Sequence, residues 1–355
     1  MCFWNCRRSV PSLRRAELLD HPVALEETLT RQSLSLHPLP PASPLAAGPR
    51  QLPITVVMNA GSGREDKSEA GAAIEKVLEA SGRDVELLVA KRPRELAALV
   101  RAAADRRPGI LAAAGGDGTL NAVASVAYQR SLPFAVIPLG TFNYFARELG
   151  IPLDPAAAAQ VAVDGSIRRV PIGEVNGRLF LNNASIGLYR RLLETREVHK
   201  RRFGRNRFVA FVSGLVTLMR EHRPYRLALQ IDGRPLNLST LTVFFGRNAL
   251  QMEHLGLDEA VCVARGELAV LALREVGRHD LLALVLRGAL ARLETAENLR
   301  QYCALTVQIE RLDEGTPHIR VALDGELVDC ELPLVVRSVP EALQVLVPAV
   351  PEVRA

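Results

Sequence analysis

From residue 52 the chain alternates short continuous apolar runs with longer amphipathic ones. "ITVVMN" (54–59) predicts a buried strand, "EDKSEAGAAIEKVLEA" (65–80) a helix ending near Gly82, and "DVELLVA" (84–90) a second strand. "PRELAALVRAAADRR" (93–107) carries proline where a helix starts, "ILAAA" (110–114) is a third strand, "TLNAVASVAYQR" (119–130) a third helix and "FAVIP" (134–138) a fourth strand. Strands alternating with helices of this length pair in parallel, so the region predicts an α/β sheet with helices on its faces.

Past residue 153 the period changes. "DPAAAAQVAVDG" (154–165) reads as a helix capped by Asp154, and "RRVPIGEVNGRLFLNNASIG" (168–187) as a hairpin around Asn176-Gly177. Alternating runs at 226–246, 268–273, 305–310, 319–329 and 332–338 add further strands. The expected architecture is α/β: a Rossmann-like parallel-sheet domain over 51–165, then a β-rich, sandwich-like domain over 166–350, with substrate between them. Residues 1–50, rich in Pro, Ser and Leu and without a sustained period, read as a disordered extension.

Composition narrows the class. The 355 residues are 48% hydrophobic, enough for two cores, yet no apolar run approaches the roughly 20 residues of a membrane span. Cysteines 2, 6, 262, 303 and 330 show no CxxC or Cys/His ligand spacing, which fits reduced thiols in a cytoplasmic protein better than disulfides or zinc. His199, His222, His254, His279 and His318 have no metal spacing either. Within a helix-patterned stretch at 189–222, Arg196, Lys200, Arg201, Arg202, Arg205 and Arg207 crowd together, which fits either peripheral contact with an anionic membrane surface, at about 1 kcal/mol per basic residue, or a solvated helix end with no partner. Aromatics make up 5% and no binding module is visible, so nucleic acid is not expected.

In parallel sheets ligands sit at the carboxyl ends of the strands. Three loops end there: 59–63, 115–119 and 138–143. "GSGREDKS" (61–68) has a Walker A frame but puts Asp66 where the last glycine belongs, and "GDGTLN" (116–121) lacks the final glycine of a dinucleotide fingerprint. Glycines beside a helix N-terminus still favour an anion, because no Cβ obstructs the phosphate and unpaired N–H groups point at it. Asp117 in such a loop suits a ribose hydroxyl, a metal on the phosphates or a proton from an alcohol; in the plainer reading Asp117 or Thr119 caps the helix.

"NAGSG", "GGDGT" and "PLGTFNYFARELGIP", in this order and spacing, resemble the catalytic domain of the diacylglycerol kinase family. That family groups with sphingosine, ceramide and bacterial soluble lipid kinases and, more distantly, with NAD kinases and phosphofructokinases. "VALDGELVD" (321–329) resembles its C-terminal DGE motif and "FFGRNALQMEHLGL" (244–257) its asparagine-containing stretch, so the likeness spans about 52–348. It implies an ATP- and Mg²⁺-dependent transfer of the γ-phosphate to a lipid alcohol. Asn59, Gly61, Ser62 and Gly63 would cradle the nucleotide, and Gly115, Gly116, Asp117, Gly118 and Thr119 would lie along its phosphates. Gly140, Thr141 and Asn143 would close the other side, and Asp324 or Glu326 would act as general base.

Asp324-Gly325 is also an ordinary hairpin turn signal. Ala122 and Tyr144 stand where the family often has carboxylates, and in 264–269 (ARGELA) arginine and alanine stand where some members carry the acids that bind a structural magnesium. Two other functions therefore stay open, a catalytically silent binder of the same fold and a kinase for a soluble alcohol. Oligomeric state is not legible.

Overall fold

A computed structural model describes residues 51–59, 64–90, 92–187, 224–254, 260–275, 298–313 and 316–349. All lie in one compact unit, Ala42–Ala355. The extension 1–50, the glycine loop at 60–63 and the whole basic stretch 189–222 fall outside the described residues.

Strands β1 (Ile54–Asn59), β2 (Val85–Ala90), β3 (Ile110–Gly115) and β4 (Phe134–Pro138) pair in parallel in the order β2-β1-β3-β4. Every residue of β3 and β4 is buried, as continuous apolar runs require when both faces of a sheet are covered. Helices α1 (Arg64–Ala80), α2 (Pro93–Arg106) and α3 (Asp117–Arg130) connect them. The short α4 (Tyr144–Glu148) follows β4, and α5 (Pro155–Asp164) starts where the Asp154 side chain accepts from Ala157 N at 2.8 Å.

The β-rich part comprises β5 (Ser166–Val175), β6 (Arg178–Phe180), β7 (Asn183–Gly187), β8 (Tyr225–Ile231) and β9 (Arg234–Gly246), then α6 (Ala249–His254) and α7 (Ala260–Ala264). It continues with β10 (Leu268–Arg274), β11 (Leu299–Ala304), β12 (Thr306–Arg311), β13 (His318–Leu323), β14 (Glu326–Glu331) and β15 (Leu334–Val347). The antiparallel order is β14-β13-β7-β9-β8-β12-β15, with β10 between β9 and β11.

β15 joins the two parts. Its start pairs with β12 (Ile309↔Leu334), and beyond a bulge Val345 pairs in parallel with Phe134 of β4. Leu334 and Val336 accordingly pack with Phe245 and Val270 in the antiparallel core, while Leu343 and Val345 pack with Phe134 and Ala158 in the other.

Three two-residue turns share one geometry. Asn176-Gly177, Asp232-Gly233 and Asp324-Gly325 have φ of 44° and 80°, 46° and 78°, and 46° and 91°, as the twist of a tight hairpin demands. The expected α/β sheet and β-rich part are both present.

Two features depart from the expected picture. No strand was expected over β11, whose "LRQYCA" shows only a weak alternation. The cysteines were expected to be reduced, yet Cys262 and Cys303 form a disulfide with Cα atoms 5.3 Å apart. The cause is tertiary: α7 packs Val263 against Ala269 of β10, and Ala269 pairs with Cys303 of β11, which brings together cysteines 41 positions apart.

Candidate functional site

The carboxyl ends of β3 and β4 place two of the three expected loops side by side. Gly115 closes β3, and a Cβ there would lie 2.6 Å from Thr119 Oγ1, so the buried Thr119 side chain fills that space. α3 begins at Asp117, with extended Gly116, which has no side chain to offer the first turn, as its N-cap. Leu139 N donates to Gly115 O at 2.9 Å, and a Cβ on Gly140 would come within 3.0 Å of Gly116 Cα. Glycine at Gly140 thus permits a contact that any side chain would prevent.

Asn143 locks the second loop. It holds left-handed φ of 51°, accepts from Gly140 N through Oδ1 at 3.0 Å and donates from Nδ2 to Gly140 O at 3.0 Å. Its amide is therefore committed to the turn. Thr141 and Phe142 remain exposed, and Phe142 stacks on Tyr144 with ring centroids 5.6 Å apart. Asn59 ends β1 at the same sheet edge, whereas Gly61, Ser62 and Gly63 lie outside the described residues.

Three carboxylates gather over the start of α3. Asp117 Oδ1 is buried without a hydrogen-bond partner, and burial followed by the nearby Asp324 charge pushes its carboxyl above the ordinary value. Among the described residues nothing pairs with this oxygen, and a buried carboxylate oxygen left unpaired is costly, which makes it a candidate acceptor.

Asp324 differs completely. Its Oδ1 accepts from Asn182 N at 2.8 Å and Asn183 N at 3.0 Å, and its Oδ2 from Leu181 N and Asn121 Nδ2, both at 2.7 Å. All four acceptor positions of the carboxylate are occupied. Burial pushes this carboxyl up, and the four donors pull the other way. The same device recurs in the next hairpin turn, where Asp232 accepts from Leu305 N and Thr306 N. Asp324 is thus a turn aspartate that fixes the neighbouring chain.

Glu326, two residues on, opens β14 and is exposed, with its carboxylate over the first turn of α3. A Cβ on Gly118 would sit 2.7 Å from Glu326 Oε1. Burial of the carboxylate, then the Asp324 charge, raises it above the ordinary glutamate value.

At the positions where family members often carry acids, Ala122 packs against the parallel core and Tyr144 Oη meets His254 Nδ1 at 3.3 Å. Among the described residues the group able to offer three metal ligands within 4.8 Å of one another is Cys262, Glu267 and Cys303, and its two sulfurs are already joined.

Sequence reasoning overlooked several partners. Asn121, Asn182 and Asn183 build the Asp324 network, and Glu148 of α4 accepts from Asn248 Nδ2 at 2.8 Å and Ala249 N at 3.0 Å, tying the parallel-sheet part to α6. The available signal was adjacent polar residues inside apolar runs, "LFLNNAS" and "FFGRNAL".

Residues 53–175 match the model of the diacylglycerol kinase catalytic domain, and 193–347 match the YegS C-terminal NAD kinase β-sandwich-like domain. A diacylglycerol kinase of Mycobacterium tuberculosis (strain CDC 1551 / Oshkosh) is 29% identical over 305 residues, covering 83% of this chain and 95% of its own. One from Staphylococcus aureus (strain MRSA252) is 31% identical over 195 residues, 54% of this chain and 61% of its own. The crystal structure of a diacylglycerol kinase from Bacillus anthracis str. Sterne shares the fold, with a TM-score of 0.57 at 18% identity over 83% of this chain and 96% of that one. No helix among the described residues is long and apolar enough to cross a membrane. The chain thus matches, in order, a diacylglycerol kinase catalytic domain and a YegS C-terminal domain, and over most of its length it is similar to bacterial diacylglycerol kinases.

Proposed function

We propose that this protein is an ATP- and Mg²⁺-dependent lipid kinase that moves the γ-phosphate of ATP to a hydroxyl of a lipid alcohol, diacylglycerol or a similar one. The observation that carries this reading is the pairing of an unpartnered, buried Asp117 oxygen with the free Glu326 carboxylate across the N-terminus of α3. Phosphoryl transfer needs little more than positioning, charge neutralisation and one base.

Residues 51–165 act as the nucleotide domain and 166–350 as the acceptor domain. Gly115, Gly116 and Gly118, with Asn59, Gly61, Ser62, Gly63, Gly140 and Thr141, let phosphates approach the backbone. Thr119 and Asn143 hold those loops in shape. Asp117 Oδ1 is the side-chain atom that would hold Mg²⁺, which would supply charge neutralisation at the phosphates.

Asp324 is a positioning residue and Glu326 the base. With four donors on its oxygens, Asp324 has no lone pair to offer an alcohol. The acceptor oxygen forms the new P–O bond, the β,γ-bridging bond of ATP breaks, ADP leaves, and the hydroxyl proton passes to Glu326. A base within hydrogen-bond reach contributes about 10²- to 10⁴-fold in rate. The basic run from Arg196 to Arg207 supports contact with an anionic bilayer.

Ala122 and Tyr144, where family carboxylates are common, favour a second reading in which the protein binds lipid and nucleotide without turnover. The test is γ-labelled ATP with Mg²⁺ and mixed micelles of candidate lipid alcohols. Label in the organic phase supports the kinase; ATP binding without labelled lipid supports the silent binder, and label only on water-soluble acceptors supports a soluble-alcohol kinase.

A further inference from the structure

Behind the turn that holds Asp324 lies a cavity of about 310 Å³, within the range of small-ligand sites. Its wall includes Leu181, whose N–H binds Asp324, together with Phe145 of α4 and Pro171 of β5. The remainder is unexpectedly cationic. Arg247 lines it from the buried side, only 5% exposed, with Nε lacking a hydrogen-bond partner among the described residues, while Arg168 and Arg169 stand exposed on β5.

The acid nearby does not satisfy Arg247. Glu148 also lines the cavity and its charge reaches Arg247, but its Oε2 accepts from Asn248 Nδ2 and its Oε1 from Ala249 N. Three arginines against one glutamate leave the cavity cationic, and a buried guanidinium N–H without an acceptor is costly unless a ligand provides one. Arg247 is fixed in place by its own backbone, whose N–H donates to Asn182 O at 2.8 Å in the segment that binds Asp324.

We infer that this cavity seats the anionic group of the acceptor: the lipid alcohol carries a phosphate or carboxylate that Arg247 binds from within and Arg168 and Arg169 meet at the mouth. Phenyl and prolyl surface beside the arginines accommodates the adjoining methylenes. The site prefers an amphiphile bearing charge near its hydroxyl over neutral diacylglycerol. The anion subsite stands independently of turnover; its assignment to the acceptor rests on the lipid-kinase reading.

Calorimetric titration of the full chain, without nucleotide, with octyl phosphate below its micelle concentration tests the subsite. Octyl phosphate binds the wild type, neutral octyl glucoside does not, and inorganic phosphate binds at least tenfold more weakly. Arg247→Met weakens octyl phosphate at least tenfold, and Arg168→Gln/Arg169→Gln, on the exposed surface, weakens it severalfold; the second variant decides the matter where the first does not fold. Equal binding by all variants, or of the neutral amphiphile, overturns the subsite, and equally tight inorganic phosphate makes it a free-anion site instead. Labelled transfer then compares a phosphodiester lipid having a free headgroup hydroxyl with diacylglycerol. Preference for the former that the Arg168/Arg169 variant loses supports the acceptor assignment. A subsite that binds octyl phosphate while diacylglycerol is the better acceptor, or while nothing is phosphorylated, overturns that assignment alone.

Discussion

Asn121 Nδ2 donates a 2.7 Å hydrogen bond to Asp324 Oδ2 across 203 positions of sequence. The bond ties the second turn of α3, just below the glycine loop, to the β13–β14 hairpin that carries Glu326. The distance between the 115–119 glycine loop and Glu326, the proposed base, is set by this link and by the three backbone N–H groups that share Asp324.

Asp324→Asn is therefore expected to act first on the fold. An amide nitrogen would face N–H donors, and breaking a buried charge network of this kind costs about 3 kcal/mol. Asn121→Ala removes the bond to the Asp324 carboxylate along with weaker ones to Leu179 O and from Ser125 Oγ, and costs about 2 kcal/mol. Urea unfolding monitored by circular dichroism measures both; an Asp324→Asn protein as stable as wild type would show that the network does not carry the turn.

Glu326 gives a pH signature. Burial and the charge of Asp324 both disfavour its ionised form, so its folded-state pKa lies above the unfolded one. Stability linked to this group is complete at acid pH and declines as pH rises through the folded-state value. Activity runs the opposite way, because the base must be ionised, so kcat/KM climbs over that interval. Glu326→Gln is expected to remove the linked decline in melting temperature that the wild type shows as pH rises above the ordinary glutamate range. Melting curves of both proteins over that rise in pH provide the check.

Gly118→Ala probes the approach of base to loop. The added methyl would lie 2.7 Å from Glu326 Oε1, so the glutamate must move aside. Because the contact is with the far end of a flexible side chain, stability changes by less than about 1 kcal/mol. Turnover is expected to fall about 10²-fold, as a displacement of the base near 1 Å implies, with ATP affinity kept within a few-fold. Matching losses in ATP binding and turnover would place the damage in the phosphate loop instead.

The Cys262–Cys303 bridge closes a loop of 41 residues, for which chain-entropy arguments give about 4 kcal/mol. Reductant is expected to lower the melting temperature of the wild type and to leave that of Cys262→Ala/Cys303→Ala unchanged. An identical response of the two proteins would show that the bridge contributes nothing to stability.

The parallel sheet was legible because its strands are buried on both faces and read as unbroken apolar runs, and the three hairpin turns because Asn-Gly and Asp-Gly state their own geometry. Asp117 and the glycines stood out for the same local reason. The roles of Asp324 and Glu326 did not separate in sequence, since two carboxylates one residue apart look equivalent until the donors around each are counted. Those donors, Asn121 and the backbone of Leu181, Asn182 and Asn183, come from positions more than 140 residues away. The disulfide was hidden likewise, because only the packing of α7 on β10 and the pairing of β10 with β11 bring its sulfurs together.

The most direct test is label transfer from γ-labelled ATP to micellar lipid alcohol by the wild type and Glu326→Gln, with ATP binding and melting temperature measured on the same preparations. The account predicts organic-phase label from the wild type and a loss of about 10²-fold or more in the variant, with ATP affinity and fold intact. Transfer by Glu326→Gln at the wild-type rate would contradict it.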